Sequence, residues 1–189
     1  VDLYENTMDH LESRWTNEAL ILKPVEYSPM NLPTEKYTSY EYPQLIDSSS
    51  VIAIKSGYHI VDRFVKINSE GEEELIHIPG FLNSGRISAK PNKILWDEYI
   101  PGFRFKNQSY SIVQEYDMES KKTRNLGGYN TRYTSPSYSY SGDSIVAVET
   151  SLSNDFKLVF ISGLDGGIFN KVSSPDNIQI MEPVWKDGD

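Results

Sequence analysis

The chain has no cysteine among its 189 residues, which excludes disulfides and thiolate metal sites within it. Histidine is scarce too. The three present, His10, His59 and His77, fall at no metal-ligand spacing and in no His-Glu-x-x-His helix, so strand or surface roles are expected for them. His59 and His77 are expected on two strands of one structural unit, within reach of each other. No stretch approaches the roughly 18 consecutive apolar residues that a spanning helix needs, and direct membrane insertion is not expected. Val1-Asp-Leu-Tyr-Glu5 lacks the basic and apolar regions of a secretion signal, so any targeting segment is expected upstream. Positive charge is in short supply. Lys and Arg number 18 against 27 Asp and Glu, a net charge of −9 at pH 7. Such a surface repels phosphate backbones and anionic lipid, and nucleic acid is not an expected partner.

Signatures of catalysis are also missing. No Gly-x-Ser-x-Gly elbow occurs, and Ser162-Gly-Leu-Asp-Gly166 reads as a hairpin turn whose glycines permit positive φ. The pairs Gly127-Gly128 and Gly166-Gly167 have no helix after them to complete a phosphate cradle. Asp165-Gly166 and Asp187-Gly188 lack the alternating carboxylates of a calcium loop. No catalytic residue, metal ligand or cofactor site is expected, and no cofactor.

What the chain does have is tyrosine and short β-branched runs. Thirteen residues are tyrosine, aromatics make up 12% and the hydrophobic share is 38%, a mixture that suits many short strands with one wet face or edge. Three stretches can be superimposed: Pro43 to Ile54, Arg86 to Trp96 and Pro136 to Ala147. Each is a short strand, a polar turn and a β-branched strand. Aligned at Ile52, Ile94 and Ile145, the period is 42 and then 51 residues, the length of a four-stranded blade of a β-propeller. A fourth copy is expected to open at Pro183-Val-Trp-Lys-Asp-Gly188, which implies a longer parent protein.

Before the repeats, Leu3, Tyr4, Met8, Leu11 and Trp15 follow helical spacing, with acids in the first turn, and predict one amphipathic helix over about 2–16. Pro24, Pro29, Pro33 and Pro43, with Tyr27, Tyr37, Tyr40 and Tyr42, mark a Pro/Tyr-rich extended linker or an edge segment wrapping the first blade, its tyrosines packing it on the sheet, with a ligand platform as the alternative. The expected division is 1–42 for helix and linker and 43–189 for blades, at about 43–84, 85–130 and 131–180 with another opening at 183. Within the second blade, Ile100 to Gln108 reads as an insertion. It carries Phe103, Arg104, Phe105 and Lys106, and arginine among aromatics is what contact surfaces favour, so these four form the candidate binding loop. The alternative is that Arg104 pairs with Asp97 or Glu98 and the phenylalanines fill a gap.

Tyr138-Ser-Tyr-Ser-Gly-Asp-Ser-Ile-Val-Ala-Val148 resembles the aromatic-Ser-Pro-Asp-Gly-Lys-x-Ile-Ala signature of WD40-like (PD40-type) repeats in TolB-like β-propellers. Here Tyr140 takes the proline position and Ser141-Gly142-Asp143 reorders the turn. Pro183-Val-Trp-Lys-Asp-Gly188 is similar to the same signature. Residues 85–189 resemble, more closely, propellers of large Bacteroidetes-type envelope proteins, in Trp96-Asp-Glu98, Arg104, Tyr116-Asp117, Arg132-Tyr133, Ser135-Pro136 and Val146-Ala-Val-Glu149. The resemblance implies an all-β fold: a partial TolB-like propeller of about three to four four-stranded antiparallel blades, with a short N-terminal helix. It also implies a periplasmic or cell-envelope location, and sometimes a preceding peptidase-like domain. The expected role is non-catalytic, with a protein partner or an adjacent domain of the same chain bound, gated or oriented. The alternative is a carbohydrate-binding or hydrolytic propeller whose site is assembled from several blades. Self-association through open blade edges is a further expectation.

Overall fold

The structure, a computed structural model, describes residues 36–102, 109–129 and 131–186. The helix expected over 2–16 lies outside them. The described residues form an all-β chain: β1 (Thr38–Leu45), β2 (Ser50–Gly57), β3 (Ile60–Asn68), β4 (Glu73–His77), β5 (Leu82–Lys90), β6 (Lys93–Pro101), β7 (Ser109–Asp117), β8 (Lys122–Leu126), β9 (Arg132–Tyr138), β10 (Ser144–Thr150), β11 (Phe156–Ser162) and β12 (Ile168–Ser173), then a 3₁₀ turn at Pro175–Asn177. Strands β1 to β4 make one antiparallel meander. The other eight make two more, β5 to β8 and β9 to β12, joined through one parallel bridge between Ser111 and Arg132.

Local chemistry explains the turns. Asn68 Oδ1 accepts from the Glu70 and Glu72 amides at 3.0 and 2.9 Å, and Gly71 supplies the positive φ that closes the β3–β4 hairpin. Asp117 does the same for β7–β8, accepting from the Ser120 amide and hydroxyl at 2.7 and 2.8 Å. Ser144–Thr150 shows why the strands stack: Ile145 and Ala147 lie on one face, Val146 and Val148 on the other, and all four are buried. A strand covered on both faces reads as a near-continuous apolar run.

The core is two slabs. One holds Ile52, Ile54 and Phe64 of the first meander against Ile87, Ile94, Trp96 and Tyr116 of the second. The other holds Leu95, Val113 and Leu126 of the second against Tyr133, Tyr138, Ile145, Ala147, Val159 and Ile161 of the third.

These slabs correct the repeat alignment. Ile94 and Ile145 each face back toward the preceding meander, whereas Ile52 faces forward to the following one. The counterpart of Ile94 is therefore Val51. A one-residue slip exchanges the faces of a strand, and Val51-Ile-Ala-Ile54 is apolar on both, so hydrophobicity left the register open. Strand starts differ as well. β1 begins at Thr38, inside the stretch read as linker, and β5 and β9 begin at Leu82 and Arg132, ahead of the expected Arg86 and Pro136. Ile100 pairs with Tyr110 and Pro101 with Ser109, so the expected insertion begins as ladder.

Candidate functional site

β1, β5 and β9 are the first strands of their meanders, and all three are interrupted at a comparable point. The register of β1 shifts between Glu41 and Gln44, that of β5 between Leu82 and Ile87, and that of β9 opposite Val146 and Val148. At each interruption one residue has a left-handed backbone: Tyr42 (φ 49°), Gly85 (φ 69°) and Ser135 (φ 51°). Glu182 repeats the feature in the last described segment, with φ 54°. Left-handed geometry costs a non-glycine residue about 1–2 kcal/mol, and a following proline disfavours helical geometry further. Tyr42, Ser135 and Glu182 all precede proline. In the remaining copy glycine supplies the kink and Arg86 stands where the others have proline.

Such kinks persist only where the surroundings hold them. Here Asp97 of β6 does much of that work. Its carboxylate is almost fully buried and accepts from the Ser84 amide and Asn83 Nδ2, each at 2.9 Å, and from the Ser84 hydroxyl. The backbone of Ser135 adds a further bond, so one side chain ties the kink of β5 to that of β9. Burial raises the Asp97 pKa, and these donors pull it back only in part. Around Glu182 the Trp185 indole donates to the Ser137 carbonyl at 3.2 Å, and Arg86 pairs with the Glu182 carboxylate.

The kinks converge on a concavity of about 140 Å³ whose lining includes Tyr42, Arg86, Ser135, Ser137 and Glu182. The Arg86 guanidinium stands 5.0 Å from the centre of the Tyr42 ring while meeting Glu182, so a cation–π contact and an ion pair fix its plane. Here elements from every meander, and the segment after them, bring polar groups together around open space.

A larger groove, of about 420 Å³, lies over Lys93, Glu115 and Arg124, whose charges are occupied by internal bonds. Glu115, almost fully buried, accepts from Arg124 Nε and the Tyr138 hydroxyl at 2.7 Å and from Lys93 at 3.3 Å. The other guanidinium nitrogens of Arg124 donate to the Leu164 and Gly163 carbonyls at 2.7 and 2.5 Å. Burial pushes the Glu115 pKa up, yet the Arg124 and Tyr138 bonds outweigh it and hold the carboxyl below its ordinary range.

The candidate binding loop Phe103, Arg104, Phe105 and Lys106 lies outside the described residues, and so does His10. His77 is half-buried between meanders, stacked on Tyr116 at 4.4 Å with Trp96 at 5.5 Å. It pairs with Phe64, whereas His59 is exposed on the β2–β3 turn, so the two serve different surroundings. Ser162 to Gly167 is the expected hairpin turn, with Gly166 at φ 75°. The Gly127 amide is taken by the Gly166 carbonyl at 2.9 Å and the Gly128 amide by the Tyr133 hydroxyl at 3.1 Å, so neither is aimed at a phosphate. Of the tyrosines read as packing a linker, Tyr40 and Tyr42 belong to β1 itself, and Tyr40 bonds Glu73 at 2.8 Å. Among the described residues no three His, Asp or Glu side chains are placed to hold a metal. No described helix is long and apolar enough to cross a membrane. Sequence reasoning missed Arg86 and Glu182. The signal was the proline shared by Pro43, Pro136 and Pro183, and its replacement by Arg86.

Stacked four-stranded antiparallel meanders whose first strands converge are the arrangement of β-propeller blades. No family model matches the chain, and no curated protein matches it either. Among solved structures it is similar to a Mycobacterium tuberculosis puromycin-hydrolyzing peptidase, with a TM-score of 0.54 at 10% identity over 77% of this chain and 22% of that one. It also aligns with the β-propeller domain of the Trilobed protease from Pyrococcus furiosus (TM-score 0.48, 13% identity, 74% of this chain and 44% of that one). TolB from Acinetobacter baumannii aligns at TM-score 0.37 and 14% identity, over 75% of this chain and 44% of that one. The chain thus spans about a fifth of the first of these proteins and under half of the other two. At such identities the likeness concerns the fold alone.

Proposed function

We propose that the chain supplies three four-stranded blades of a TolB-like propeller and, from Glu182, the inner strand of a fourth. Its role is non-catalytic: it recognises a protein partner, or orients and gates an adjacent domain of its own chain, in a bacterial cell envelope. The observation that carries this reading is the convergence of four kinked inner segments on one polar concavity, where Arg86 and Glu182 are paired with each other. The likeness to part of a peptidase supports the gating form of the proposal. Packing in the last segment supports the fourth inner strand. Tyr138 reaches back from β9 to Glu115 of β7 at 2.7 Å, and Trp185, three residues after its own kink as Tyr138 is, reaches back to Phe160 of β11 with ring centres 5.9 Å apart.

A second reading, carbohydrate binding, draws on the exposed Tyr58, whose ring packs at a tilt against that of Tyr37 with centres 5.3 Å apart. One set of assays separates these readings. The purified 189-residue chain is expected to hydrolyse neither peptides nor esters and to leave a glycan array empty. Turnover that disappears with Asp97→Asn would overturn the non-catalytic role, and glycan binding lost in Tyr58→Ala would favour the second reading.

A further inference from the structure

We infer that the Arg86 concavity is a seat for the carboxylate end of a peptide chain, and that Glu182 is a built-in stopper occupying it. Three features on independent elements carry this. The first is the unspent capacity of Arg86. A guanidinium has five N–H donors in a planar fork that matches a carboxylate. Among the described residues the polar partner of Arg86 is the Glu182 carboxylate, approached most closely by one terminal nitrogen. The Tyr42 ring lies 5.0 Å from the guanidinium carbon, and Arg86 lines the concavity.

The second is the lining. Ser135 and Ser137 line the same space, and their hydroxyls make no hydrogen bond to another described residue. Among the described residues β1 pairs with β2 alone and β5 with β6 alone, and bulged residues leave backbone groups outside the ladder. Tyr42 and Gly85 fall in those gaps. A peptide end brings the matching main-chain donors and acceptors; a bare small acid does not. The volume of about 140 Å³ suits a terminal carboxylate and a short side chain rather than a passing strand.

The third is the stopper. Glu182 belongs to a stretch without regular secondary structure from Ile178 to Lys186, holds an uncommon positive φ and is largely exposed. An exposed pair of this kind is worth about 0.2–1 kcal/mol, so an arriving carboxylate displaces it at small cost. Because a residue of the chain already fills the anion position, the seat is self-competing. The chain's charge of −9 makes that useful, since any anion must be held against the surrounding field.

The inference rests on the protein-recognition reading above, but the two fail differently: hydrolytic turnover sinks that reading, whereas loss of carboxylate discrimination sinks only the seat. The test titrates acetyl-Ala-Ala with a free C-terminus, its C-terminal amide, and acetate into the 189-residue chain by calorimetry, with the Arg86 Nε–H signal followed by NMR. The free acid is expected to bind and move that signal, with the amide and acetate at least tenfold weaker. Glu182→Gln is expected to tighten the free acid about two- to fivefold, the exposed-pair energy expressed as affinity. Arg86→Lys, which keeps the charge but not the fork, is expected to weaken it about tenfold. Equal binding of acid and amide, equal binding of acetate, or unchanged affinity in a folded Glu182→Gln variant would each overturn the proposal.

Discussion

The two interfaces between successive meanders are built from different materials. Between the first and second, contact is made by side chains alone. Phe64, Trp96, His77 and Tyr116 form a chain of ring contacts, with Phe64 and Trp96 centres 5.1 Å apart, and the sheets share no strand pairing. Between the second and third, the backbone takes part. Ser111 and Arg132 form the parallel bridge, the Ser111 amide donates to the Thr131 carbonyl at 3.2 Å and its hydroxyl to the Tyr133 carbonyl at 2.5 Å. The Glu115–Arg124–Tyr138 network and Asp97 add buried charge. An apolar slab tolerates small shifts of one sheet against the other, because dispersion and burial are non-directional. A network of directed bonds is either made or broken.

That contrast can be broken most sharply at Trp96. The side chain is fully buried and central to the first interface. Trp96→Ala is expected to cost about 4 kcal/mol, read as the denaturant midpoint of the whole chain, and hydrogen exchange should show β1 to β4 released while β9 to β12 stay protected. Loss of protection in all three meanders at once would show that the interfaces are not separable.

Glu115→Ala attacks the other side. It strands the Tyr138 hydroxyl in the core and frees Arg124 from its main anchor, at a cost of about 3 kcal/mol, the lower end for breaking a buried charge pair because Arg124 is partly exposed. Released exchange should now centre on β9 to β12. Glu115→Gln, which keeps the shape and one acceptor, is expected to recover part of the loss.

The smallest effect is on pH. His77 has its pKa depressed from the ordinary 6.5, since burial among rings disfavours the cation more than the Glu98 carboxylate favours it. A depressed histidine contributes stability that is present above 6.5 and lost as pH falls below it. Glu115 also has a depressed pKa, but from an ordinary 4.5, so its contribution persists down to that pH. Moving from pH 7.5 to 5.5 should therefore loosen the first interface and spare the second. Residue-resolved exchange checks this, and His77→Gln should remove the dependence; equal loosening at both interfaces would contradict it.

Much of the architecture is legible in the residues. The β-branched runs, the Asn68 and Asp117 turns and the glycine at 166 announce hairpins by local chemistry, and the all-β fold with repeated meanders follows from them. Register was not legible where a strand is apolar on both faces, as at Val51 to Ile54. The early start of β1 was hidden because Thr38 to Tyr42 looks like the tyrosine-rich segment before it, and pairing with β2 decides the matter. The site was harder to read. Positive φ is announced by glycine, whereas Tyr42, Ser135 and Glu182 adopt it under tertiary constraint, and the bond that ties two kinks together comes from Asp97, a residue on a different strand. Long-range contacts such as Tyr138 to Glu115 leave no mark on local periodicity.

The kinks in the inner strands also bear on what these strands refuse. An unpaired strand edge is a template on which another chain can add, strand on strand, toward aggregation. Among the described strands β1 and β5 stand at sheet edges, yet each is broken near its middle by a left-handed residue, and Pro43 removes a donor as well. No run of flat, regularly spaced donors and acceptors is left for an extended chain to zip along. The same interruptions that gather polar groups at one point thus ration contact: room for the tip of a chain, and no track for its length.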